Sequence, residues 1–292
     1  MGRSKISALI GGALFFLPAA NALAADIPNI PAPPQIGGGW YLRGDIGMAN
    51  QGFSGLSHPG FDDPAFAPDS FRWLDKGNFD AVPTFQIGLG YQYSDHVRFD
   101  VTGEYRGNSA FSALDEYDTN TVDSNFGSNC NFSPSGDCAT NHYTGKKSEL
   151  LFLANAYYDF SSWHNVTPYF GAGIGVSYNT ISGFVDDNVI TGGQGWAPTG
   201  HEMSLAWALH AGASVQVTPS MSVDFGYSFV SLGDAQTGLF QNVDPALACT
   251  GTGGTCYPMK FKGLYSNDFK IGVRWALGQP AQQSYYPPVV KY

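Results

Sequence analysis

Residues 205–229 read LAWALHAGASVQVTPSMSVDFGYSF. Leu205, Trp207, Leu209, Ala211, Ala213, Val215 and Val217 fall on one face of an extended chain. Ala206, Ala208, His210, Gly212, Ser214 and Gln216 fall on the other. After Thr218-Pro219-Ser220 the pattern restarts, with Val223, Phe225, Tyr227 and Phe229 alternating with Asp224, Gly226 and Ser228. Period-two alternation marks a strand whose two faces meet unlike surroundings. A connection this short, with a proline in it, folds two such runs into an antiparallel hairpin.

Similar runs recur along the chain at Gly39–Ala49, Pro83–Tyr93, Val97–Arg106, Ser148–Phe160, Thr167–Tyr178 and Ser266–Leu277. With the hairpin they make eight. The connections alternate in length. Asn50–Val82, Gly107–Lys147, Asn179–Gly200 and Gly233–Tyr265 are long, whereas Ser94–His96, Ser161–Val166 and Thr218–Ser220 are short. A strand crossing a bilayer needs about 9–11 residues, and barrels in outer membranes have short periplasmic turns and long outer loops. The pattern therefore predicts an all-β protein, an eight-stranded antiparallel up-and-down transmembrane β-barrel over residues 39–277, with four long outer loops.

The flanking segments read differently. Arg3 and Lys5 precede a largely apolar stretch, Ile6–Ala20, and Ala22-Leu23-Ala24 has the small-x-small form of a cleavage site. Residues 1–24 are expected to be a signal peptide that is removed. Residues 25–38 carry Pro28, Pro31, Pro33 and Pro34 and read as a periplasmic linker. Residues 278–292 hold three further prolines and read as a periplasmic tail. The net charge is −10, and it becomes more negative once Arg3 and Lys5 are removed. Such a chain does not suit nucleic acid as a partner. Export permits disulfides, and the four cysteines form two close pairs, Cys130/Cys138 and Cys249/Cys256. Each pair is expected to close a small loop. Neither has CxxC spacing, so metal ligation is the lesser alternative.

The two faces of the runs imply two solvents. The apolar face is aromatic near the short-turn ends, at Trp40, Tyr91, Tyr93, Phe160, Phe170 and Trp275, which is the pattern of an interfacial girdle. The other face mixes glycines with Arg43, Asp45, Arg98, Asp100, Glu104, Arg106, Asp224, Lys270 and Arg274. Val97–Arg106 alone puts Arg98, Asp100, Thr102, Glu104 and Arg106 on one side, which a dry core would not accept unpaired. A soluble barrel would need the opposite sidedness. An eight-stranded lumen is only wide enough to be filled by side chains, so these charges are expected to cross-pair as a plug rather than line a channel. Asp224 is expected between Arg274 and Arg43, with Asp45 next along.

Few other constellations suggest chemistry. His210 faces the lumen and is expected to pair with Asp or Glu. Ser214, four strand residues away and about 13 Å distant, is too far to be a nucleophile activated by it. Gly171-x-Gly173-x-Gly175 lacks the helix and third-glycine spacing of a dinucleotide site. No catalytic residue, metal or cofactor is expected. Acidic groups at Asp62-Asp63, Asp115-Glu116, Asp118 and Asp123 are expected in the outer loops, solvated or bridged by divalent cations to lipopolysaccharide.

Three stretches carry a family likeness: Gly39-Trp40-Tyr41-Leu42-Arg43-Gly44, Pro168-Tyr169-Phe170-Gly171-Ala172-Gly173-Ile174-Gly175, and Val217–Tyr227 followed by Ser231-Leu232-Gly233. Through them the chain resembles the opacity-type family of small outer-membrane barrels of Gram-negative bacteria, the "porin family" surface antigens. The likeness covers the strands and not the loops. It implies an outer-membrane protein with a structural, adhesive or antigenic role, surrounded by lipid and lipopolysaccharide and inserted by the barrel-assembly machinery. A host or cell-surface ligand would be reached through the outer loops. Some members are called porins and some bind haem, and those are the alternatives. Many such barrels end on the aromatic of the last strand, whereas here Gly278–Tyr292 follows.

Overall fold

Each alternating run forms one strand of a closed sheet. The computed structural model describes residues 39–57, 71–117, 138–188, 194–242 and 258–277. The expected signal peptide, linker and tail lie outside the described residues, as do Cys130, Cys249, Cys256, Asp62, Asp63, Asp118 and Asp123. Cys138 is buried and is not free, but both expected pairings fall outside what is described.

The strands in chain order are β1 (Gly39–Gly52), β2 (Gly55–Ser57), β3 (Phe71–Phe79), β4 (Val82–Gln92), β5 (Val97–Tyr117), β6 (Ala139–Asp159), β7 (Val166–Asn188), β8 (Gln194–Ala197), β9 (Gly200–Thr218), β10 (Met221–Gln236), β11 (Gln241–Asn242) and β12 (Lys260–Ala276). Eight of them form an antiparallel ring in the order β1-β4-β5-β6-β7-β9-β10-β12. The ring closes through β1 and β12, from Tyr41↔Ala276 to Gly52↔Tyr265. The four short strands extend its outer end: β2 pairs with β12, β3 with β5, and β8 lies between β7 and β11.

Over the lower part of the wall the outward side chains are large, apolar and exposed. Ile87 is 75% exposed, Phe269 66% and Leu205 68%, among many of their kind around the ring. A continuous apolar band of this size is stable only against lipid. On β12 it runs from Tyr265 to Trp275, about 33 Å of strand at ~3.3 Å per residue, or about 25 Å in height at the usual tilt. The wall at this level is the membrane span.

Several strands continue far above that band, which corrects the expected loops. Gly107–Lys147 was expected as one loop, yet β5 runs to Tyr117 and β6 starts at Ala139. β7 likewise reaches Asn188, β10 reaches Gln236 and β12 begins at Lys260. Asp115 and Glu116 are therefore strand residues and not loop residues.

The sidedness reverses on the way up. Below, the interior is charged. Above, it is a core of Phe79, Phe111, Phe184 and Phe261 with Phe53 against them, Phe111 and Phe261 lying edge to face at 4.9 Å. β-Bulges make the switch, because one extra residue moves every later side chain to the opposite face. On β5 the register shifts between Arg106 and Ser109, so the buried set changes from Arg98–Arg106, even numbers, to Ser109, Phe111 and Ala113, odd numbers. On β7, β10 and β12 the switch occurs at Gly183, Gly233 and Gly263, each at a positive φ of 58–69°. That backbone region favours glycine.

Candidate functional site: the filled lumen

The lumen residues are held by strand alternation alone, so their heights follow from the ladder register. Nearest the short turns, Arg98 is fully buried, and its Nε donates to both carboxylate oxygens of Asp159 at 3.0 and 3.1 Å. Its guanidinium carbon lies 4.1 Å from the Tyr157 ring centroid and 4.8 Å from that of Tyr169. Stacking against two phenol faces compensates a cation whose terminal nitrogens have no hydrogen-bond partner. Beside it, Arg274 pairs with Asp224 at 2.9 Å, and Ser214 accepts from Arg274 at 2.8 Å while donating to Asp224 at 2.6 Å.

One layer higher, Arg43 donates twice to Asp45, at 2.8 and 2.9 Å, and once to Asp100 at 2.9 Å. Asp45 also accepts from Gln86 at 2.9 Å, and Asp100 from Asn155 at 2.7 Å. Lys270 donates to Gln86 at 3.1 Å and pairs with Glu104. The third layer centres on Arg106, which meets Asp268 at 2.6 Å, Glu104 at 2.9 Å and Glu149 at 3.1 Å. Lys147 pairs with Glu149 and donates to Gln51 at 2.7 Å. Leu151, Leu153, Ala206, Ala208 and Val230 fill the interior among these groups, with the phenylalanine core above.

Two expectations about partners need correction. Asp224 meets Arg274 but not Arg43, which turns instead to Asp45 and Asp100 across the lumen. His210 has no carboxylate partner: Nδ1 lies 2.8 Å from Ser228 Oγ and Nε2 3.1 Å from Asn155 Oδ1. A ring carrying hydrogen only on Nε2 satisfies both. The reason is strand direction, since the acids nearest His210 in height are already drawn to Arg43 and Lys270. His210 and Ser214 do not bond to each other, Ser214 being engaged by Asp224 and Arg274.

The sequence reading did not single out Lys147, Glu149, Asp159 or Asp268. Asp268 was within reach, because it continues the alternation Lys270, Gly272, Arg274 by one step. Lys147 was hidden by starting the fourth run at Ser148, whereas Glu149 lay inside that run, on the face of Asn155, Tyr157 and Asp159. Within the described lumen the ion pairs join six cations (Arg43, Arg98, Arg106, Lys147, Lys270, Arg274) to seven carboxylates (Asp45, Asp100, Glu104, Glu149, Asp159, Asp224, Asp268). That near balance produces no strong field of one sign. A cavity of about 20 Å³ remains among Arg43, Asp45, Gln86, His210, Asp224 and Lys270, room for about one water molecule.

Outside the wall, the six expected girdle residues are all exposed at the short-turn end: Trp40, Tyr91, Tyr93, Phe160, Phe170 and Trp275. Trp40 and Tyr91 meet edge to face at 5.3 Å, and the tilted rings of Phe160 and Phe170 lie 5.8 Å apart. A second group lies at the upper edge of the band, where Phe229 meets Trp207 at 5.6 Å and Tyr265 at 6.2 Å.

A family model of outer-membrane barrels agrees with this architecture. Residues 12–276 match the family model described as outer membrane protein beta-barrel domain. An uncharacterized protein of Brucella abortus (strain 2308) is 29% identical over 243 residues, which is 77% of this chain and 80% of that protein. The outer membrane protein PagN of Salmonella typhimurium is 29% identical over 127 residues, 43% of this chain and 48% of that one. Among solved structures, Neisserial surface protein A is 18% identical with a TM-score of 0.41, over 82% of this chain and 98% of its own. The chain belongs to the outer membrane protein β-barrel domain family, and it is a protein of the outer membrane of Gram-negative bacteria.

Proposed function

We propose that this protein is a non-conducting structural and surface-interaction protein, of the opacity type, that carries no catalytic activity. The reading rests on the filling of the lumen. Among the described residues, charged layers and an apolar core occupy the lumen, with a cavity of about 20 Å³ among the second-layer side chains, and this filling supports a barrel that passes no solute. What remains available to partners is the outer end, which β5, β6 and β7 raise well above the lipid band. A host or cell-surface ligand would bind there, with lipid and lipopolysaccharide around the wall and the barrel-assembly machinery as the partner during insertion. The porin alternative requires the same lumen to conduct, and the haem-receptor alternative requires a site among the outer segments.

The test is conductance in planar bilayers together with cell binding. Purified protein is expected to give no current steps above the lipid baseline. Cells displaying it are expected to lose surface binding when segments 118–137 and 243–257 are replaced by short linkers, while barrel insertion is kept. Steady single-channel currents from the wild type would overturn the reading in favour of a porin.

A further inference from the structure

The outer mouth holds a cluster that the ion pairs of the lumen do not reach. Asp115 on β5 is fully buried. Its Oδ1 accepts from the Asn141 backbone N–H at 3.1 Å, and its Oδ2 from the Tyr143 hydroxyl at 2.5 Å. Asp186 on β7 stands opposite Tyr143 in the β6–β7 ladder. Its Oδ1 is buried and receives no hydrogen bond among the described residues. Beside it, Asp187 accepts from Gln194 at 2.6 Å. Two inward carboxylates thus sit on strands that flank one tyrosine.

Among the described residues no salt bridge reaches Asp115 or Asp186. β3 carries Arg72, Asp75 and Lys76, and Arg72 is held by Glu116 of β5 at 2.5 Å. On β6, Lys146 is exposed and His142 turns to Ser112 at 2.9 Å. β8 and β11 contribute no titratable side chain. In sequence, residues 58–70, 118–137, 189–193 and 243–257, which lie outside the described residues, contain Asp62, Asp63, Asp69, Asp118, Asp123, Asp137 and Asp244, one histidine (His58), and no Lys or Arg. Burial first, and then the charges of Asp115 and Asp187, push the Asp186 carboxyl up to about 8. Burial raises Asp115 to about 6, against hydrogen bonds from Tyr143 and Asn141 that favour its ionised form.

The strand beneath Asp186 has a hinge. Gly183 has φ +58°, lies at the register shift opposite Thr144–Lys146, and has open space where a Cβ would stand. Above it, Phe184–Asp187 pair with β8, which pairs in turn with β11.

We propose that Asp115 and Asp186 form a proton-operated clasp on the barrel mouth. While Asp186 holds its proton, the uncharged carboxyl lies quietly beside Tyr143 and the mouth stays closed. Loss of that proton places two buried negative charges on neighbouring sides of Tyr143, and the segment 184–188 swings out with β8 about Gly183. Because folding raises the affinity of both carboxyls for a proton, the stabilisation is fully present below the usual carboxylate range. It is lost as pH rises, through about 6 for Asp115 and about 8 for Asp186. The mouth is therefore firm in acid surroundings and loose in alkaline ones.

The experiment is amide hydrogen exchange on full-length protein in lipid vesicles between pH 6 and 9, corrected for intrinsic exchange rates. Protection of Phe184–Asn188 and Gln194–Ala197 is expected to fall by up to about tenfold for each pH unit from pH 6 to the Asp186 midpoint, and to level off above it, where open and closed forms have both lost the proton. Asp186→Asn is expected to hold protection constant. Asp187→Asn is expected to move the midpoint to lower pH without abolishing it. A flat wild-type profile, or a pH-dependent one in Asp186→Asn, overturns the proposal. The carboxyl-carbon resonance of Asp186 gives a check that needs no variant, and a midpoint below about 5 there overturns it equally.

Discussion

Gly272 and Val273 are neighbours in β12 that face opposite solvents. A Cβ at Gly272 would collide with Asp45 Oδ1, which Arg43 and Gln86 hold in place. Val273 points outward within the band, two residues from Trp275, and is 42% exposed. We expect Val273→Arg to cost ~1–2 kcal/mol through lipid exposure of a charge between the interface and the midplane. Gly272→Ala is expected to destabilise by crowding the lumen, and its cost should persist when detergent replaces bilayer. Urea unfolding midpoints in both media check this, and equal insertion of Val273→Arg and wild type would contradict the face assignment. Asp268 anchors Arg106 at 2.6 Å in the third layer. Asp268→Ala is expected to cost ~3–5 kcal/mol, because Arg106 is then left buried with one acid fewer. Asp268→Asn keeps a hydrogen-bond acceptor and should cost less, by the same unfolding measurement.

At the scale of the strand, the bulges do what side-chain chemistry alone could not. Without the extra residue after Arg106, β5 would turn Ala110, Ser112 and Leu114 inward and expose Phe111 to water. Gly263 makes the same change in β12, at φ +59° and in contact range of Ser54. We expect Gly263→Val to be strained by its backbone alone, by ~1–2 kcal/mol, and to collide with Ser54 as well. The damage should stay above the lipid band, where Phe261 and Met259 would lose their inward positions. Protease added outside intact cells is expected to cut Gly263→Val in the outer portion while the membrane-embedded strands remain protected.

On the proposed non-conducting reading, three charged layers and an apolar core make the seal of the barrel redundant. Asp224 and Arg274 close only the layer nearest the short turns. Asp224→Ala is accordingly expected to lower the unfolding midpoint yet to leave the bilayer silent, since Glu104, Arg106 and Asp268 still block the lumen above. Current through Asp224→Ala would mean that the upper layers do not seal. The strands also act as a pedestal. β7 has 23 residues against the roughly ten that cross the lipid. Replacing outer segments should therefore change what the protein binds without changing whether it inserts.

The amino-acid sequence by itself determined the strand count of the ring, the alternation of short and long connections, the two opposed solvents and the charged character of the lumen. Each of these is written in period two, and a strand's alternation needs no knowledge of its neighbours. The exposed aromatics Trp40, Tyr91 and Trp275 at the short-turn end were legible for the same reason. The tertiary structure alone decided how far the strands run, where their faces exchange, and which charge meets which. Bulges after Arg106 and at Gly183, Gly233 and Gly263 interrupt the alternation, so extensions such as Ser109–Tyr117 read locally as loop. Ion pairs such as Arg43–Asp100 and Arg106–Asp268 depend on the stagger between strands across a closed ring. That stagger is set by cooperative ladder pairing around the whole circumference and leaves no trace in the spacing of any single run.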